Sequence, residues 1–312
     1  MNCVLTGYDG AQYALPAPLE WRFRYGSGTP CDSFELVCPW GPGLDGRLSA
    51  ATRFWAEEDG ERRFTGVVDE YACTWDRRGG TLTLSGRGLA ALLLDNEAVG
   101  QEYQVATLDD ILRDHVAPYG IKTAQRVPLP AVAGFAPAAG SSEWQVLYDF
   151  ARYHGGVEPR FDRLGRLVVA PWPDGARRVL DARAGCTEIS FRDRRYGVLS
   201  EVLVRDRTTL AVQRVADGDF LGQGGMCRRV LTMPGRSSYQ AMRYSGAYQL
   251  SRSAEGRHRL EVRVPGAFYA WPGEVFEVRL ERPGIGGAWR VLESTAACGA
   301  QGASTRLSLG KC

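Results

Sequence analysis

Histidine is almost missing from this sequence, at three in 312 residues, and that scarcity removes much of the acid–base and metal chemistry a chain of this size could carry. His-Glu-x-x-His, Gly-x-Ser-x-Gly and phosphate-loop patterns are all absent. Long apolar runs are absent too, since none approaches the roughly 18 residues that a membrane-crossing helix needs. The start, Met1-Asn2-Cys3-Val4-Leu5-Thr6, lacks the basic-then-apolar layout of a signal peptide. The expected place of synthesis and assembly is therefore the cytoplasm. Charge of one sign is lacking: the net value is only +2, although arginine greatly outnumbers lysine. Bulk electrostatics thus give no reason to expect membrane binding or sequence-specific nucleic-acid binding.

The eight cysteines include no Cys-x2-Cys pair, which argues against a zinc site and a disulfide framework and for buried thiols. Cys38 and Cys73 fall in alternating segments where a small apolar side chain fits, and Cys312 ends the chain.

What is present is turn-rich β pattern: 38 Gly, 8 Trp and 13 Tyr in a chain with 44% hydrophobic and 24% charged residues. Such a length fits two or three domains and buries roughly three quarters of its unfolded surface. Residues 19–25 alternate apolar and charged, Phe34, Leu36 and Cys38 resume that alternation, and residues 54–57 and 63–67 flank Glu58-Asp59-Gly60 as a hairpin. Tyr71, Cys73 and Trp75 form another apolar face before a turn into residues 81–85. The first hundred residues therefore read as an antiparallel barrel or sandwich.

At residues 81–95 the period changes. Leu82 and Leu84 alternate with polar residues, whereas Leu89, Ala90, Leu92 and Leu93 recur at helical spacing. Gly86 and Gly88 between them are expected to supply backbone angles closed to other residues. The same corner spells Gly-x-Gly-x-x-Ala, but no buried parallel strand precedes it and no acidic residue ends the next strand, so it is not a dinucleotide site. Thr107 with Asp110 and Ser142 with Gln145 are expected to cap two helices whose apolar stripes carry Leu108, Ile111 and Leu112, then Trp144, Leu147 and Tyr148. Residues 125–140 read as a loop, and 157–161 against 166–170 as a hairpin. Strands return at 188–191 and 198–204, a helix is expected over 239–254, and alternation resumes at 260–264, 276–280 and 307–309. The fold class is mainly β with an α/β part.

Taken in order, these features resemble the hub proteins of tailed-phage tails and baseplates. They are a strand, Ser85-Gly86-Arg87-Gly88 and a leucine-rich helix; a Trp144-bearing helix, Gly155-Gly156 and the Asp162-Arg163-Leu164-Gly165-Arg166-Leu167 hairpin; then Trp271-Pro272 and a final strand with Thr305, Leu307 and Leu309. The likeness runs from about Trp21 to Leu309 and is nearest to the Mu-like and defective-prophage hubs, themselves similar in fold to the T4-like hub. One departure is Gly88, where many relatives carry an acid after Gly-Arg. The resemblance implies two tail-tube-like antiparallel β-barrel domains and a discontinuous α/β domain. The expected division is residues 1–99; 100–185 with 213–257; and 186–212 with 258–312. It further implies a homotrimer, a ring between a sixfold tail tube protein and a threefold central spike or tip protein, with other baseplate proteins beside it in a virion. Residues 213–256 are expected to fold back onto residues 107–173.

The remaining clusters of polar residues have structural readings. His115, His154 and His258 read as packing or capping residues. Asp109-Asp110 suits a helix N-terminus and Glu57-Glu58-Asp59 a hairpin tip, although either could be drafted into glycoside hydrolysis. Cys73 with His115 could make a peptidase pair, but a thiol on the apolar face of a strand is inert. Arg192-Asp193-Arg194-Arg195-Tyr196 and Arg177-Arg178 mix charges in a way that suits protein interfaces. No catalytic residue, cofactor or metal is expected. The competing reading is a tail-tip cell-wall hydrolase or glycan binder, which needs exposed aromatics; Trp40, Trp55 and Trp172 are its candidates.

Overall fold

In a computed structural model of the chain, residues 1–28, 30, 32–77, 79–173, 178–233, 237–280 and 285–312 are described. Alternation dictates the architecture. The strand Glu20–Gly26 buries Trp21, Phe23 and Tyr25 and exposes the residues between them, and Ser33–Pro39 beside it buries Phe34, Leu36 and Cys38. Asn2–Gly7, Ala51–Glu58, Glu61–Asp76 and Gly79–Gly88 complete this first β half, and the Ala51–Glu58 and Glu61–Asp76 pair turns through Asp59, whose φ is 55°. Its core holds Phe23, Phe34, Phe54 and Phe64, with Phe34 and Phe54 stacked at 4.0 Å.

A second β half has its own core of Leu260, Val262, Phe276, Trp289, Leu307 and Leu309. Among the described residues the two halves do not close into separate barrels. Among the described residues their strands join in one 13-stranded sheet ending at Glu188–Asp193 and Gln12–Ala14. The cause is Gly287–Gly299, a 13-residue strand. One of its edges pairs with Gly302–Lys311 throughout; the other pairs first with Val275–Arg279 and then, beyond a bulge near Val291 and Glu293, with Glu20–Gly26.

Gly86 and Gly88 act differently from the sequence expectation. Neither has positive φ. Both stay within Gly79–Gly88, and a Cβ on Gly86 would fall 2.0 Å from the Val67 carbonyl oxygen and 2.6 Å from the Phe34 ring. The glycine permits close approach of strands over the aromatic core. The following helix, Ala91–Leu94, is a single turn.

The α/β part packs Leu108, Ile111, Leu112, Trp144 and Leu147 into one core, with Tyr148 at its margin. Thr107 and Asp110 form a complete capping box. Ser142 accepts from the Gln145 amide at 3.2 Å, but the Gln145 side chain bonds Asp149 instead of returning to the cap, so the second box is half made. The region 125–140 is not all loop: Val132–Phe135 pairs with Tyr103–Ala106. Gly218–Gly222 is a short helix capped by Asp217.

Two strands after residue 173 pair with segments distant in sequence or leave the large sheet. Arg178–Asp181 runs parallel to Val275–Arg279 in the large sheet. Glu201–Asp206 leaves the large sheet and pairs with Val212–Ala216 and Arg228–Met233, covered by the helix Tyr239–Glu255 through Val202, Val204, Ala241 and Met242. That helix returns to residues 148–158: Tyr248 donates to Glu158 at 3.1 Å and meets the Tyr148 hydroxyl at 3.2 Å, while the buried Arg152 guanidinium lies 3.2 Å from the Tyr248 ring centre.

Candidate functional site

The most chemical-looking cluster is buried. The helix Leu108–His115 presents His115 inward beside its apolar stripe, and Glu143 opens the next helix facing it. His115 Nδ1 meets Glu143 Oε2 at 2.6 Å, and its Nε2 meets the Tyr103 hydroxyl at 3.0 Å. Tyr119 donates to Glu143 Oε1, and Tyr103 lies 3.0 Å from Asp114 Oδ2. Burial pushes both tyrosine hydroxyls up, and the neighbouring carboxylates add to it. His115 is 3% exposed. With both ring nitrogens engaged, neither is left for a substrate, and the cluster's work is to join two helices and a strand. Sequence reading placed His115 on the apolar side but missed its partner, which lies 28 residues away in another helix.

The other candidates have local partners. Asp110 completes the cap of its helix, and Asp109 pairs with Arg126. Glu58 accepts from the Tyr269 hydroxyl at 3.0 Å, and Glu57 lies 3.9 Å from Arg62. His154 packs edge-on to Phe135, and burial lowers its pKa. His258 stacks on Phe191 near Asp193, with burial again the first cause of its lowered pKa. Cys73 belongs to the margin of the first β core and His115 to another element, and burial raises the thiol. Among the described residues, no group of three or more His, Cys, Asp or Glu side chains is placed to hold a metal ion, and no helix is long and apolar enough to cross a membrane.

In the arginine-rich run, Asp193 takes Arg257 at 3.1 Å and Arg195 at 3.4 Å. Arg178 reaches Glu274 at 3.0 Å, while Arg177 lies outside the described residues. The three tryptophans of the glycan reading are half-buried and engaged. Arg62 covers Trp55 at 4.0 Å, Arg160 covers Trp172 at 4.1 Å, and Trp40 meets Trp75 edge-on at 5.3 Å.

Exposed groups suited to contact lie on strand edges. Glu61–Asp76 pairs with Ala51–Glu58 only as far as Val67, so residues 69–76 have a neighbour on one side, Gly79–Gly88. On that stretch Tyr71 is 45% and Trp75 63% exposed, although both point to the side of buried Leu84. Glu188–Asp193 is the terminal strand at the other end of the sheet, with Phe191 exposed. An unpaired edge beside uncovered aromatics is the usual form of a strand that receives a partner.

No family model matches the chain, and no curated protein matches it. Solved structures do. The tail protein from Neisseria meningitidis MC58 superposes with a TM-score of 0.80 at 19% identity, over 99% of this chain and 96% of that one. The 43 kDa tail protein of prophage MuSo2 from Shewanella oneidensis gives 0.76 at 17% identity, over 100% and 98%. An Escherichia coli type VI secretion component, described as similar to the T4 tail proteins gp27 and gp5, gives 0.59 at 11%, over 95% and 73%. From end to end, this chain has the fold of phage tail proteins.

Proposed function

We propose that the chain is a structural, non-catalytic hub of a phage or phage-derived tail, a homotrimeric ring joining a sixfold tail tube to a threefold spike within the virion. The carrying observation is the fold likeness to tail proteins over nearly the whole of both chains. It is supported by two β halves with separate cores fixed rigidly in one sheet. Three chains of two β halves each present six comparable units, so one ring can meet both symmetries.

The division that best fits this role keeps residues 1–99 as the first β unit, joins 178–193 to 258–312 as the second, and gives 100–173 and 198–257 to the α/β part. Its partners would be the tube protein, the spike or tip protein and other baseplate proteins. Electron microscopy of the purified protein, alone and with its spike, tests the reading. A threefold ring with an axial opening is expected, and a monomer under both conditions would overturn it.

A further inference from the structure

A cleft of about 520 Å³ opens where the first β half, the α/β hairpin and the second β half meet. Its size is that of small-ligand sites, roughly 300 to 1,000 Å³. The walls are stiff and largely apolar. Trp172 lies between the Arg160 guanidinium at 4.1 Å and the backbone of Gly273, where a Cβ would fall 2.0 Å from the ring. Trp271 meets Tyr25 edge-on at 4.5 Å, and Phe161 and Val168 line the space beside them.

The charges around the cleft are matched, with one exception. Arg160 donates to the carbonyls of Ala170 and Pro171, Arg163 to Glu61 at 3.3 Å and Arg166 to Asp162 at 2.8 Å. Asp162 also takes the Leu164 and Arg166 amides at 2.9 Å, and Glu274 holds Arg178 at 3.0 Å. Tyr25 gives its hydroxyl to the Arg63 carbonyl. Asp32 is the exception. Its Oδ1 accepts from the Gly26 amide at 3.0 Å, and among the described residues no donor reaches Oδ2. Asp32 lines the cleft, and burial pushes its carboxyl up to about 7 against the weaker opposing effect of the Gly26 amide.

We propose that this cleft binds an organic cation, a primary ammonium or guanidinium on an apolar or aromatic stem, with N–H groups donated to Asp32 Oδ2 and the stem laid along Trp271, Phe161 and Val168. A charged donor meets a carboxylate oxygen that is unpartnered among the described residues while apolar walls take the stem, and the three arginines nearby are each already engaged. The cation could be a free amine or a basic side chain from a neighbouring protein; the chemistry is shared. Binding needs Asp32 ionised, so affinity should rise between about pH 6 and about pH 8. The other titratable and charged groups lining the cleft are Tyr25, Asp162, Glu274, Arg160, Arg163 and Arg166.

Calorimetric titration of the full chain with phenethylamine, phenethyl alcohol and phenylacetate holds the stem constant and varies the head. The amine should bind about tenfold tighter than the alcohol, and phenylacetate weakest. Asp32→Asn keeps an acceptor for the Gly26 amide but removes the charge, and should bring the amine down to the alcohol and abolish the pH trend. A short Leu-Arg-Leu peptide against its citrulline counterpart identifies the source: preference for arginine that exceeds the phenethylamine affinity assigns the site to a protein side chain, and the reverse order to a free amine. Equal binding of the three probes, no binding of any, or unchanged amine binding by Asp32→Asn would overturn the proposal. If Asp32→Asn fails to fold, the probe order and pH trend of the native chain decide.

Discussion

Arg87 holds Asp69 through two parallel bonds, Nε to Oδ2 at 2.7 Å and Nη2 to Oδ1 at 2.9 Å. The same guanidinium reaches Asp95 at 2.9 Å and 2.7 Å. Asp69 lies where the strand Glu61–Asp76 shifts register, and Asp95 caps the helical turn Ala91–Leu94. One side chain thus ties the bulged strand to the exit from the first β half. The two acids come from 18 residues before and 8 after Arg87 in the sequence.

Arg87→Ala is expected to cost about 1 to 2 kcal/mol in urea unfolding, more than an ordinary surface pair because two carboxylates share one fork, yet limited by solvent screening. The hydrogen bond from Arg87 holds the Asp95 carboxyl below its usual range. A depressed carboxylate contributes stability that is present above its unfolded value, about 4, and is lost as pH falls through the folded value. The gap between native and variant protein should therefore narrow below about pH 4.

Trp144→Ala should cost about 3 to 5 kcal/mol in denaturant titration, since the ring is 5% exposed and packs near Tyr148 and Phe161. A loss under about 1 kcal/mol would show that the ring is not part of a packed core. The helical stripe carrying Trp144 was legible because it is local. The pairing of Val132–Phe135 with Tyr103–Ala106 was not, because four residues among prolines and alanines acquire strand form only from a partner some thirty positions away.

The same distinction explains the rest. Alternation at residues 19–25 identified the strand and its buried face, but no local pattern says that Gly287–Gly299 serves two β halves at once. His115 could be placed on an apolar face, while its buried partner Glu143 read only as a polar residue in a first helical turn. In the cleft, Asp32 stands out only when the partners of every neighbouring charge are known.

Asp206 offers a sharper acid test. It is fully buried and accepts from the Thr208, Thr209 and Ser237 amides and the Thr209 hydroxyl. These bonds, the Thr209 amide first, outweigh burial and lower its carboxyl to about 2. Its contribution is complete above the unfolded value near 4 and lost as pH falls toward 2, amounting to about 2 to 3 kcal/mol. Asp206→Ala should show that loss at neutral pH, followed by unfolding in urea, and the difference from the native protein should shrink through the same acid window.

Assembly rests on the strand edges. Residues 69–76 have a strand on one side only, and Tyr71 and Trp75 stay largely in solvent although they point to the side that buries Leu84. At the far end of the sheet, Glu188–Asp193 has an open edge of its own. Two different edges on one chain favour a head-to-tail contact, which closes into a ring when the rotation between neighbours allows. The first edge carries Glu70, and the second carries Arg192 and is followed by Arg194, so unlike charges would steer the pairing. Three copies of the 34.2 kDa chain give about 103 kDa by light scattering, alone or with the spike. Tyr71→Glu with Trp75→Glu should shift the mass toward that of one chain while leaving the unfolding free energy within about 0.5 kcal/mol of the native protein, since exposed positions contribute little to the fold. An unchanged mass in that double variant would remove this edge from the ring contact.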